Sequence, residues 1–206
     1  MTRRTPREGI TRAIMTPIDP VDSSNAPSRS SPRDAAPALR RATPDDAVPL
    51  AALHTASRAV TYRGILPDDY LDHVLPAACL AQWHAKLAEQ ADGSGQTLIA
   101  EVGGEAVAFV CMSEPDAQRS VYIDSLHARP DRKGGGLGTT LLEAASRWAR
   151  ERGASRLHLK VLEGNVGAIG FYEARGWTPI GRDDDGDMDG HRVVSLIYAL
   201  ALAPAR

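Results

Sequence analysis

A glycine-rich turn set between a strand pattern and a helix pattern limits what this chain can fold into. The run Arg132-Lys133-Gly134-Gly135-Gly136-Leu137-Gly138-Thr139-Thr140 follows a stretch from Val121 to Ala128 that reads as a strand. It opens into Leu137, Leu141, Ala145 and Trp148, which recur at helical spacing and predict one buried helix face ending at Gly153. Glycines let the backbone approach a ligand closely, and the positive end of the following helix adds to that field. Such a turn is suited to holding a phosphate on several N–H groups at once.

A second motif lies some thirty residues further on: Asn165-Val166-Gly167-Ala168-Ile169-Gly170-Phe171-Tyr172-Glu173-Ala174-Arg175-Gly176-Trp177. Asn165 is a natural helix cap, Phe171 and Tyr172 form an aromatic pair, and Gly176 stops the helix. Between the motifs, Leu157, Leu159 and Val161 alternate as a strand does. In this order and at this distance the two motifs resemble the GNAT superfamily of acetyl-CoA-dependent N-acetyltransferases.

The rest of the chain fits that order. Leu39-Arg40-Arg41 reads as a short strand, and Thr43-Pro44-Asp45-Asp46 as a helix start leading to Val48, Leu50, Ala51, Leu53 and Ala56. Gly64 is expected to interrupt the helices. A short one restarts at Pro67-Asp68-Asp69, and a separate stretch runs from Ala77 to Glu89. Strands over Thr97–Val102 and Ala106–Met112 flank Gly103-Gly104, a hairpin turn. A strand near Trp177–Ile180, an acidic loop and a last strand over Arg192–Leu200 close the domain. The expected fold class is α/β (α+β): a mixed, mostly antiparallel sheet flanked by helices, with splayed parallel central strands. It spans residues 38–206. Residues 1–37, rich in Pro, Ser and Arg, read as a disordered extension in which Met15 offers an alternative start.

Bulk properties narrow the partners. The formal net charge of −2 gives no basic field, so no nucleic-acid partner is expected. No apolar run has the length of a membrane span, and the N-terminal arginines have no apolar stretch of a secretory signal behind them. Cys79 and Cys111 have no metal-ligand spacing and read as reduced, buried thiols of a cytoplasmic protein. Asp183-Asp184-Asp185-Gly186-Asp187-Met188-Asp189-Gly190 opens like a calcium loop, but its twelfth position is Leu196 rather than Glu. It is therefore read as a solvated hairpin, and no metal is expected.

What the resemblance implies about the site is more specific. Its pattern of Gln or Arg, two residues, Gly, one residue, then Gly or Ala falls on Lys133, Gly136 and Gly138. Lys133 departs from it by offering a cation without a planar fork, and Arg132 stands beside it to share the task. Arg132, Lys133, Gly134, Gly135, Gly136, Leu137, Gly138 and Thr139 are the implied pyrophosphate cradle. The backbone of Leu126 and Ala128 would meet the pantetheine arm, with the Leu126 N–H on the thioester carbonyl. Asn165, Ala168 and Phe171 would border that arm, and Tyr172 would assist the departing thiolate. Tyr122 stands where some members place a catalytic Glu. Asp124 is thus the implied base, acting through water, or else a structural or substrate-binding carboxylate. By strand alternation His127 is expected on the opposite face from Asp124.

The opening helices, with Ser57, Tyr62 to Pro67 and Trp83, look like a common bacterial branch. The implied activity is direct transfer of acetyl from acetyl-CoA to a primary amine of a small molecule. A protein or peptide acetyltransferase and a non-catalytic acyl-CoA-binding sensor are the alternatives. Homodimers are common in the family.

Overall fold

The computed structural model describes residues 36–188 and 190–203. The expected N-terminal extension, Met15 included, lies outside the described residues but for its last two. Among the described residues seven strands form one sheet in the order β1-β2-β3-β4-β5-β7-β6. The strands are β1 (Ala38–Arg41), β2 (Gly95–Val102), β3 (Glu105–Ser113), β4 (Ser120–Ala128), β5 (Arg156–Leu162), β6 (Thr178–Met188) and β7 (His191–Ala201). Only the β4–β5 pair is parallel. The hairpin between β2 and β3 turns on Gly103 and Gly104, both at positive φ (63° and 82°), as a two-residue primed turn requires.

Helices cover both faces. α1 (Ala47–Thr61) and α2 (Leu75–Ala91) pack on one, around Leu50, Leu71, Leu75, Trp83 and Phe109. α3 (Leu137–Glu151) and α4 (Val166–Glu173) belong to the other, around Leu141, Trp148, Val121, Leu157 and Tyr172. All of the expected α3 face is buried: Leu137, Leu141, Ala145 and Trp148. Each large side chain of that kind contributes about 1.5–3 kcal/mol on leaving water.

α1 departs from the expected stripe. Val48 and Ala56 face solvent, and the buried line runs through Ala47, Leu50, Ala51, His54, Ser57 and Arg58. The stripe starts apolar and turns polar halfway along. The expected gap between helices also closes. Tyr70–Val74 forms a widened π turn that joins directly to α2, with the Leu75 N–H reaching the Tyr70 carbonyl. Pro76 has no N–H to continue a regular ladder, and the wide turn absorbs that loss without breaking the helix. No helix among the described residues is long and apolar enough to cross a membrane.

Candidate active site

β4 and β5 run side by side for only four residues, Ser120–Ile123 against Arg156–Leu159. Beyond that point each follows a different neighbour. β4 stays on β3 through Ala128, and β5 stays on β7 through Leu162. The divergence begins at a bulge. Ile123 pairs with Met112 and Ser125 with Cys111, so Asp124 is an extra residue with no partner of its own. The result is a wedge-shaped opening in the middle of the sheet.

Backbone direction inside the wedge follows from one bond. The Arg129 N–H donates to the Val107 carbonyl on β3 at 2.8 Å. Alternate residues of a strand direct their N–H and C=O groups to opposite sides. His127 therefore turns its backbone toward β3, and Leu126 and Ala128 turn theirs into the opening.

A cleft of about 1010 Å³ runs through this wedge. Of the residues expected at the site, Tyr122, Asp124, Leu126, Ala128, Arg132, Lys133, Gly134, Gly136, Leu137, Gly138, Thr139, Asn165, Ala168, Phe171 and Tyr172 all line it. Gly135 does not. Its place in the turn leaves it beside the Arg132 carbonyl, 3.6 Å from where a side chain would begin.

At one end lies the glycine turn. Gly134 and Gly136 have φ of 85° and 77°, conformations that L side chains rarely adopt, and open space stands where their side chains would be. Gly138 is needed for a different reason, since a methyl there would meet the Phe171 ring at 2.8 Å. The α3 N-terminus opens at this turn. Arg132 carries a buried Nε with no hydrogen-bond partner among the described residues. Donors, dipole and an unsatisfied guanidinium nitrogen fit a phosphate group. Lys133 reaches away from the turn to Thr61 Oγ1 at 3.1 Å, which ties the turn to α1. Arg175, which sequence reasoning passed over, donates from Nε and Nη2 to Thr139 Oγ1 and lies 3.8 Å from the Phe171 ring centroid.

The middle of the cleft is aromatic. Tyr172 is buried, and burial, with Tyr62 a smaller cause, holds its phenol above the ordinary pKa. Asn165 caps α4 by accepting the Ala168 N–H at 3.2 Å. Tyr122 is pushed up to about 12, by burial first and Asp124 second. Both phenols therefore keep their protons at any working pH.

At the other end the structure corrects two expectations. Asp124 and His127 do not face opposite ways. Asp124 is itself the bulged residue, which breaks the alternation, and both turn toward α1 and α2. Asp124 Oδ2 accepts from Lys86 Nζ of α2 at 2.6 Å and from Ser125 Oγ at 3.1 Å. His127 Nδ1 lies 3.0 Å from Ser57 Oγ of α1, with its ring 4.5 Å from that of His54. Trp83 Nε1 in turn donates to His54 Nδ1 at 3.2 Å. Burial, then Arg58 and Lys133, push His127 down to about 3, so its imidazole is neutral. Sequence reasoning missed this group. The signal was available in α1, where His54, Ser57, Arg58 and Thr61 hold helical spacing and continue the apolar stripe with polar residues.

The second correction concerns the acidic segment, which is strand and not loop. β6 carries it along β7, pairing Asp183 with Ser195 and Asp187 with Arg192 across an irregularity between Asp183 and Gly186. Asp183, Asp185 and Asp187 line the cleft. Asp184 pairs with Arg182 instead, at 2.6 Å. Lys160 holds Asp183 at 2.7 Å and keeps its carboxyl below the ordinary range.

A mixed sheet opened by a bulge, with a phosphate-type turn at the head of the opening, defines a class of acyl-transfer folds. Residues 60–177 match the Acetyltransferase (GNAT) family, and the chain belongs to it. Streptothricin acetyltransferase of Streptomyces lavendulae is 34% identical over 98 residues, 47% of this chain and 51% of that protein. The chain thus spans about half the length of this curated relative. A GCN5-related N-acetyltransferase from Rhodopseudomonas palustris superposes with a TM-score of 0.68 at 28% identity, over 82% of this chain and 97% of the other. The PaiA N-acetyltransferase of Thermoplasma acidophilum, solved with coenzyme A, shares the fold at a TM-score of 0.68 and 18% identity, over 81% of this chain and 99% of that one.

Proposed function

We propose that residues 38–206 transfer an acetyl group from acetyl-CoA directly to a primary amine of a small cationic molecule. The carrying observation is the single cleft that joins the glycine turn to an end lined by phenols and aspartates, across strands splayed at Asp124. Family membership supports the acyl chemistry. The relative named for streptothricin supports a small-molecule acceptor, and the neighbour solved with coenzyme A supports the cosubstrate.

Acetyl-CoA supplies the thioester that the amine attacks. Arg132 and the N–H groups from Gly134 to Thr139 hold its pyrophosphate, and Lys133 must swing back from Thr61 to add its charge. The Leu126 N–H, turned into the opening, donates to the carbonyl oxygen as charge builds there. Asn165 spends its side-chain oxygen on the helix cap, and its amide nitrogen serves the pantetheine arm beside Ala168 and Phe171. Tyr172 keeps its proton and gives the departing thiolate a hydrogen bond. A thiolate is a weaker base than a phenolate, so the help is electrostatic. Asp124 takes the ammonium proton through water, held in position by its contact with Lys86. Tyr122 flanks it as a neutral phenol, and the β6 aspartates favour a cationic acceptor. Free, buried Cys79 and Cys111 fit a reducing cytoplasm, where acetyl-CoA is met.

The test is release of CoA thiol from acetyl-CoA against polyamines, amino acids, aminoglycosides and short peptides. Release with small cationic amines is expected. Release confined to peptides would move the acceptor to proteins. Binding of acetyl-CoA without release for any acceptor would replace the transferase with a sensor.

A further inference from the structure

A second depression, of about 410 Å³, lies on the outer side of α3. Arg147 and Arg150 of α3 line it, with Glu143 one turn before Arg147 and with Arg175 and Trp177 from the segment after α4, so three cations face one carboxylate. Thr139 and Arg175 line both this groove and the main cleft, so the groove begins where the glycine turn ends. Three observations suggest that it receives an anion. Neither Arg147 nor Arg150 has an ion pair or side-chain hydrogen bond among the described residues, although most arginines among those residues have one or the other. Arg175 is fixed by three of its five N–H donors, two bonds to Thr139 and one to the Phe171 carbonyl, and keeps two in reserve. Trp177 is 2% exposed, and its indole Nε1 is buried without a hydrogen-bond partner among the described residues.

We propose that this groove binds the 3′-phosphate of the CoA nucleotide, and that Arg147 and Arg150 with Arg175 make the chain discriminate CoA from its 3′-dephospho form. The inference rests on the acetyl-CoA reading and assigns it a specificity. Arg147 lies ten residues into α3, about 15 Å along the axis from Leu137. Helical side chains lean toward the N-terminus, so a long guanidinium at 147 reaches back toward Thr139. A phosphomonoester carries nearly two charges and three acceptor oxygens, whereas the dephospho form offers only a hydroxyl.

Calorimetric titration of the full chain with CoA and with 3′-dephospho-CoA decides the matter. The wild-type chain is expected to favour CoA by about 10- to 100-fold, the range of a charge-assisted contact or two. The double variant Arg147→Gln/Arg150→Gln is expected to bring that ratio to within about threefold of unity, with dephospho-CoA affinity unchanged as proof of folding. Equal wild-type affinity for both compounds, or a double variant that keeps the full ratio, would overturn this assignment alone. Binding of neither compound would sink the acetyl-CoA reading and this one with it.

Discussion

At the glycine-turn end of the cleft, one run from Arg132 to Thr139 supplies nearly every donor, and most of those donors are backbone N–H groups. At the acceptor end, Thr61 and Tyr62 come from the end of α1, Gln82 from α2, Tyr122 and Asp124 from β4, and the aspartates from β6. The two ends solve different problems. A phosphate is the same in every CoA, so a fixed backbone cradle serves it. An amine acceptor varies, and side chains on separate elements can change without disturbing the fold. The first end is thus a local property of sequence and the second a property of topology.

The largest effect should come where the two ends meet. Tyr172→Phe is expected to lower turnover about 100-fold, the scale of losing one positioned proton donor. Acetyl-CoA affinity should stay within about twofold of wild type by calorimetry. Unchanged turnover would remove Tyr172 from the chemistry. Next comes the cradle alone. Gly136→Ala forces a side chain onto a backbone at φ 77°, at a cost of about 1–2 kcal/mol. Acetyl-CoA binding should weaken about tenfold while the acceptor Michaelis constant holds. A shift in the acceptor constant instead would show that the two ends are not separable.

The acceptor end should respond more softly. Asp185→Asn/Asp187→Asn is expected to raise the Michaelis constant of a cationic acceptor about three- to tenfold at low salt, with the difference fading near 0.5 M salt. Insensitivity to both changes would remove the acids from recognition. The smallest effect on function belongs to a site outside the cleft. Asp46 accepts from Arg40 at 2.7 and 2.8 Å and from the Thr43 N–H, and Arg40 above all lowers its carboxyl pKa to about 2. That stabilisation is present above the unfolded pKa of about 3.9 and is lost as pH falls toward 2. Asp46→Ala should cost about 1–2 kcal/mol at pH 7 in urea unfolding, and less below pH 4, with both cleft ends unaltered in binding.

Legibility follows the same division. The turn, the Asn165 cap, the Phe171–Tyr172 pair and the buried face of α3 could all be read because each is written in consecutive or helically spaced residues. Asp124 lines the cleft, but its orientation relative to His127 could not be read from the sequence. A bulge depends on the partner strand, and period-two alternation cannot reveal it. The aspartates of β6 look like a loop because strands seldom carry such a run. Pairing with β7 overrides their weak propensity. Lys86 was out of reach, since nothing in the chain links residue 86 to residue 124 except the packing of α2 against the sheet.

The aspartates of β6 have one more consequence. β6 is the last strand of the sheet, eleven residues long, with an outer edge unpaired among the described residues. A long, flat edge of that kind invites a second chain to add itself as another strand. Asp183, Asp184 and Asp185, each in an ion pair with a basic neighbour, together with Asp187 and the interrupted register, would have to be desolvated or displaced by any such copy. The far edge is guarded differently, by the brevity of β1 and its Arg40 and Arg41. The acidic strand is thus a poor template for a second copy, whatever it does for an acceptor.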